Sequence, residues 1–369
     1  MTTVAIAAGG GGDAVTAAML ADKMPALDVV AIMSYSWDRL IVDPTPGPRT
    51  PTDFHGLIDH GGVFEVPPTA ALHGDGKSTL PRLAEHVAQP LLLLDIEAGV
   101  NGLARQIRYA ASAFDANEVV VIDTGGDILA TGNEPGLRSP LADSAALAAA
   151  ITSGLPTQVL VAGAGLDGEL SRAELNGRLN ALDAEIIGDL IARDAEGLAS
   201  IWSWHPSEAN ALLAVAASGW RGSVETQRGV VIEVTDAATR VYRIAATALS
   251  ELSLAALLTQ TSSLEEIEQL LRERRGYSDI DIERERLAHR RRPQRPTPDT
   301  LDIIDDYVAG ADARGVDALT VRRVIEMTHA TEPSATEALR AQLAHCRSDN
   351  FKPPLYLVRP IAEGRHVCD

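Results

Sequence analysis

The chain has 369 residues, 46% hydrophobic and only 4% aromatic, so its core must be aliphatic, and wholesale disorder is excluded. Its 32 basic and 51 acidic residues leave a net charge of −19, a field that opposes nucleic acid and anionic membrane and favours solubility. The length exceeds a typical single core, which points to two lobes or one large domain with appendages.

The first residues, 4–8, read as a buried strand that runs into Gly9-Gly10-Gly11-Gly12-Asp13 and then a helical stretch, 14–23. Further short aliphatic runs follow at 28–34, 91–94, 118–122 and 158–162, with helical segments at 100–114, 141–153 and 171–193. Alternation of this kind predicts a Rossmann-like, mostly parallel sheet with helices on both faces. Segment 43–72 is rich in Pro, Gly and Thr and is expected to be a long loop with one strand near 63–66. Segments 229–235 and 240–244 alternate and are expected to form a β-hairpin. Ser263 to Glu266 has the pattern of a capping box opening a helix to about Arg275, and the remainder is expected to be helical except for an edge strand at 355–358. The expected domains are a Rossmann-like α/β domain over 1–245 and a mainly helical region over 246–369 with an Arg-rich linker at 272–298.

In a parallel sheet, ligands bind beyond the carboxyl ends of the strands. The turn of Gly9, Gly10, Gly11, Gly12 and Asp13 sits at such an end and opens a helix. Glycines permit positive φ and close approach, while exposed N–H groups and the helix dipole favour an anion, the dipole by about 0.3–1 kcal/mol. A tight turn with no ligand is the alternative. The run resembles the pyrophosphate loop of the N-type ATP pyrophosphatases, Ser-Gly-Gly-x-Asp-Ser after the first strand. Gly10, Gly11 and Asp13 match, whereas Gly9 and Ala14 replace both serines.

Three more loops carry acids at predicted strand ends: Asp95 to Gly99, Asp123-Thr124-Gly125-Gly126-Asp127, and Gly163 to Glu169, which includes Gly165 and Asp167. Clustered carboxylates need a cation or a proton between them, and around a phosphate they commonly hold Mg²⁺. Asp123 and Asp127, with Gly125 and Gly126 between them free to turn both acids toward one point, are the candidate catalytic and metal-binding pair. Asp95 and Asp167 also suit caps and turns. The third loop matches a Gly-x-Gly-x-x-Gly fingerprint, but Ser171 to Glu174 is a capping box, so the helix starts too late for dinucleotide binding.

His205, in Trp204-His205-Pro206-Ser207-Glu208, is a candidate acid/base, or else part of a pre-helix turn. Residues 34–39, Ser-Tyr-Ser-Trp-Asp-Arg, follow the second strand, where a base or ribose could be read, though a surface turn suits them equally. Segment 272–295 has nine arginines and five acids and reads as a solvated helix and linker pairing its own charges. Lys77 is read as a loop lysine. Cys346 and Cys368 match no metal or redox spacing and are expected to be reduced thiols. Without a signal-peptide pattern or a spanning segment, the expected location is cytoplasmic.

The tetraglycine start, the 123–127 loop, Glu134 with Ser139-Pro140-Leu141-Ala142-Asp143, and Gly165 to Ser171 together resemble the family called domain of unknown function 1152, over residues 1–245. The resemblance implies a Rossmann-like fold and no particular reaction. The residues point to an enzyme acting on a nucleotide (ATP-like) or other phosphorylated small molecule, by phosphoryl, nucleotidyl or glycosyl chemistry, with Mg²⁺ as the cofactor. Two alternatives stand beside it: a non-catalytic small-molecule-binding or scaffold protein, and a metal-free cyclase or hydrolase of a specialised metabolite. A small-molecule substrate is the expected partner, with no nucleic acid or membrane, and a homo-oligomer is compatible with the sequence.

Overall fold

A computed structural model of the protein describes residues 1–360, so Cys368 lies outside the described residues, while Cys346 is an exposed free thiol. The chain folds into two compact units. One comprises Met1–Gly219 and Asp236–Arg290, the other Trp220–Thr235 and, among the described residues, 291–360. Segment 246–290, placed by sequence in the C-terminal region, thus belongs to the same unit as the central sheet.

That unit is built on a nine-stranded sheet. Its five central strands are parallel and lie in the order Leu91–Leu93, Val29–Ser34, Thr3–Ala7, Glu118–Thr124, Thr157–Ala162. Numbered along the chain, this is the doubly wound order 3-2-1-4-5. Antiparallel strands flank it. Arg240–Ala245 and then Glu185–Asp189 extend one side; Phe64–Glu65 and then Ile58–Asp59 extend the other. All five strands expected from the sequence are present, and the mostly parallel α/β fold is as predicted.

Strand periodicity divides the core. Val4, Ile6, Ala31, Met33, Val119 and Val121 share one cluster with helices Gly99–Ala113 and Pro140–Ser153. The alternate residues Ala5, Ala7, Ile32, Val120 and Ile122 are equally buried but outside it, on the face packed by Asp13–Lys23. Helix Pro140–Ser153 is Ala- and Leu-rich all round and is buried almost all round, because neighbouring helices from 246–275 cover its outer side. Pro140 stands in its first turn and Gly154 ends it at φ 77°.

Several local expectations are corrected. The helix expected over 171–193 stops at Ala181, and strand Glu185–Asp189 and helix Ala192–Glu196 follow. Asp183 takes φ 47°, which no helix continues through. The expected hairpin does not form. Val231–Val234 pairs with Gly222–Glu225 in the second unit, whereas Arg240–Ala245 joins the central sheet beside Thr157–Ala162. Ser263 caps helix Leu264–Arg275, but Glu266 reaches back to the N–H of Ser262 rather than Ser263, so the capping box is incomplete. The long 43–72 loop contains paired two-residue strands, with Phe64–Glu65 close to the position expected.

The second unit has a five-stranded sheet in the order Val231–Val234, Gly222–Glu225, Ala318–Thr320, Leu355–Leu357, Phe351–Lys352. Leu355–Leu357 is therefore an inner strand and not the expected edge, since Phe351–Lys352 covers its outer side. The unit has its own core of Ile304, Leu319, Val324, Leu339, Leu343 and Tyr356. Its buried carboxylate Glu225 is held by Tyr307, Arg314 and Arg323.

Candidate functional site

Strand order reverses between Thr3–Ala7 and Glu118–Thr124, and crossovers leave this point toward opposite faces. A crevice beyond their carboxyl ends is where a doubly wound sheet takes its ligand. The Gly9–Asp13 turn and the Asp123–Asp127 loop are those two ends.

None of the four glycines has positive φ. They are required instead by close approach of the protein's own atoms. A Cβ on Gly10 would lie 2.8 Å from the Trp37 carbonyl oxygen, and one on Gly12 would lie 2.6 Å from Ser207 Oγ and 2.9 Å from Asn210 Nδ2. The expected anion cradle is also altered. The Gly9 N–H donates to Asp13 Oδ2 at 3.0 Å, so this N–H of the turn is already taken by a carboxylate of the same chain.

Asp13, Asp123 and Asp143 each offer an oxygen within 4.8 Å of the others, and all three are buried. Two ionised carboxylates at that distance repel by about 3.5 kcal/mol at an effective dielectric near 20. Asp127, Asp167 and Glu169 act on the same group electrostatically. Burial, then Asp127 and Asp13, push Asp123 well above the usual carboxyl range. Burial, then Asp143 and Glu169, do the same to Asp127, as do burial, Asp123 and Asp13 to Asp143. Asp13 rises only to about 6, because hydrogen bonds from Asn210, Gly9 and Thr124 oppose its burial. Neither oxygen of Asp123, nor Oδ1 of Asp143, receives a hydrogen-bond donor among the described residues. Buried acceptors left in that state call for a proton or a cation.

The scaffold holds these acids firmly. Asn210, on helix Ala209–Ala217, donates to Asp13 at 3.1 Å and accepts from Thr16 and Thr124. Glu169 accepts from the Arg138 and Ser139 N–H groups and the Ser139 hydroxyl, and Asp279 accepts from the Leu141 N–H. Both therefore anchor the first turn of Pro140–Ser153, from which Asp143 projects. The loops are stitched together by Gly165 N–H donating to the Gly125 carbonyl at 2.6 Å. Gly125 has φ 122°, and a Cβ there would collide with the Asp167 carboxylate. Gly125→Ala is expected to destabilise the protein by roughly 2–5 kcal/mol, from strain and overpacking combined. Urea unfolding measures this, and an unchanged midpoint would contradict the loop geometry.

Of the residues singled out by sequence, Asp13, Asp123, Asp127 and Asp167 are brought together. Gly126 (φ 105°) and Gly165 (φ 90°) shape the loops against Leu175. Asp143, Glu169 and Asn210 complete the group. In the sequence Asp143 stands out only through the family resemblance, and Asn210 carries no local signal. Asp95 forms its own turn, accepting from the Glu97 N–H, and its strand lies two places from the first. His205 is buried, and burial with Arg39 nearby lowers its pKa to about 3. It is thus a neutral imidazole at pH 7, unlike the near-neutral acid/base expected. Its Nδ1 accepts from the Ser207 N–H, and Ser207 Oγ accepts from Asn210, a chain that ends on Asp13. Pro206 does not open the following helix, whose N-cap is Glu208.

The 34–39 segment is tied down internally: Asp38 accepts from the Thr79 N–H and hydroxyl, and Trp37 donates to Glu283. In the Arg-rich stretch, Arg272 pairs with Glu268 and Asp281, Arg275 with Asp279, and Arg284 with Glu268 and Asp281, so this part balances acids of its own helices. Lys77 is an exposed loop residue. No described helix is long and apolar enough to cross a membrane.

A doubly wound sheet with buried acids at its switch point defines the class: a Rossmann-like α/β protein with an acidic cluster at the carboxyl ends of its central strands. Within that class, the chain belongs to the family described as Protein of unknown function (DUF1152), which matches residues 4–287. That span extends past residue 245, where the resemblance read from the sequence ends, to one residue short of the end of helix Asp279–Ala288. No curated protein and no solved structure matches the chain.

Proposed function

We propose that this protein is a cytoplasmic enzyme that acts on a nucleotide or other phosphorylated small molecule, with Mg²⁺ as the link between substrate and protein. The observation that carries this reading is the convergence of buried carboxylates at the switch point of the sheet. An anionic substrate cannot approach such a group unaided, because the Gly9 N–H is taken and the acids repel it. A divalent cation reverses that sign, and phosphoryl or nucleotidyl transfer is the chemistry such a cation serves through charge neutralisation and orientation. Among the chain's own residues, Asp123 and Asp127 face the reacting group, Asn210 and Thr124 hold Asp13, and Gly9 keeps a side chain away from Asp13 and Asp143.

The test is a thermal-shift titration with ATP, ADP-ribose and ribose 5-phosphate, each with and without Mg²⁺. A ligand at a hundred times its Kd stabilises by about 2.7 kcal/mol, a shift of several degrees. The reading requires at least one such shift that depends on Mg²⁺. Shifts absent from every combination would sink it. The raised carboxyls favour one second reading, a metal-free cyclase or hydrolase in which these acids transfer protons. There, turnover would persist in excess EDTA.

A further inference from the structure

We infer that one divalent cation is coordinated by Asp13, Asp123 and Asp143, and that Asp127 lies outside its coordination shell. The inference rests on the proposed function for the cation's purpose, but not for its existence. It also replaces the Asp123–Asp127 pair that the sequence suggested.

Three lines converge on the triad. The first is geometry. Oxygens bound to one hard cation at about 2.1–2.5 Å stand roughly 3–5 Å apart, and the three carboxylates offer oxygens within 4.8 Å of each other. Asp127 is not among those three. The second is hydrogen bonding. Both oxygens of Asp123 and Oδ1 of Asp143 are buried and lack donors among the described residues, whereas the buried acids Asp38, Glu169 and Asp279 accept from Thr79, Ser139 and Leu141. A cation satisfies several such lone pairs at once. The third is preorganisation. Asp13 is oriented by Gly9, Thr124 and Asn210, and the helix that carries Asp143 is pinned at its N-terminus by Glu169 and Asp279. Outer contacts of this kind fix ligand direction at metal sites.

Gly9 leaves room beside the triad. It is half-buried, and a Cβ there would lie 2.8 Å from Asp13 Oδ2 and 3.4 Å from Asp143 Oδ1. A side chain at this position would therefore crowd the triad. An all-oxygen set of three carboxylates suits Mg²⁺ or Mn²⁺, with the remaining positions left for water or phosphate oxygens.

The experiment is Mn²⁺ binding to the full-length protein, read by electron paramagnetic resonance of free Mn²⁺ and repeated by calorimetry with Mg²⁺, with no substrate present. One ion per chain is expected. Asp13→Asn and Asp143→Asn should each weaken binding at least about 30-fold, while Asp127→Asn stays within about 5-fold of wild type. Near-UV circular dichroism of each apo variant checks its fold. Gly9→Ala, which leaves every carboxylate in place, provides a second route and should also weaken binding. Wild type without a bound ion, Asp143→Asn binding like wild type, or Asp127→Asn as damaging as Asp143→Asn would each overturn the assignment. Because no substrate is used, a bound ion with no ligand-dependent thermal shift would defeat only the proposed reaction.

Discussion

In metal-free buffer at pH 7, Asp123→Asn is expected to be more stable than wild type by about 2–4 kcal/mol, and to lose its response to Mg²⁺. Asp123 is fully buried with no donor to either oxygen, so the folded protein must either carry its charge beside other carboxylates or keep it protonated. Keeping a carboxyl protonated at pH 7, when the unfolded chain releases that proton near pH 4, costs about 1.4 kcal/mol per pH unit, or roughly 4 kcal/mol. An amide of the same shape removes that cost and adds two donors facing acceptor oxygens. Urea unfolding with an unchanged m value measures the gain. A lower midpoint for Asp123→Asn would mean that the acid is structural, and the functional reading of the cluster would fail with it. A residue that costs stability where it stands is what a functional site, rather than a packing solution, leaves in a core.

How far the sequence carried this picture depends on the range of each interaction. The five strands and the glycine turn were legible because a buried aliphatic run is a local signal. The 3-2-1-4-5 order is a matter of pairing between distant segments, and no local pattern encodes it. Leu175, Leu179 and Leu182 are buried on a helical period, and Ile186 and Leu190 extend that period by coincidence. In fact Ile186 is half exposed on a strand, beyond the turn at Asp183. The Asp236–Thr239 turn resembled a hairpin tip, yet it separates two strands that pair with different sheets. At the site, Asp123 and Asp127 were legible because they lie at the end of a strand and in the loop just after it. Asp143 was not, since an acid in the first turn of a helix is ordinarily explained by the helix dipole. Its role emerges only when the strand order brings that helix over Asp13.

The stability of the metal-free protein should rise as pH falls from about 8 to 5, the reverse of the usual trend for carboxylate-rich chains. Asp13 and Asp38 are raised to about 6, Asp279 to about 7, and Asp123, Asp127 and Asp143 well above the ordinary value. Folded, these groups bind protons that the unfolded chain has already lost. Between pH 4 and its folded pKa, each therefore lowers stability as pH rises, by at most about 1.4 kcal/mol per unit. His205 opposes them. Its pKa falls to about 3, so below about 6.5 the unfolded chain takes up a proton that the folded protein refuses, and stability drops as pH falls. One histidine against several acids leaves the net slope with the acids down to about pH 5. Lower still, Asp194, held below the usual range by the Ile191 N–H and Lys23, and Asp281, held there by Arg272, lose these contacts and the trend reverses. Saturating Mg²⁺ should flatten the slope above pH 6, because the cation binds the ionised carboxylates and takes the place of the protons. Unfolding midpoints at half-unit intervals, with EDTA and with Mg²⁺, test both halves. If the metal-free curve is flat from pH 8 to 5, the acids are not buried together as described. If the curve slopes but Mg²⁺ leaves it unchanged, they hold protons and no cation, which is the condition the metal-free reading requires.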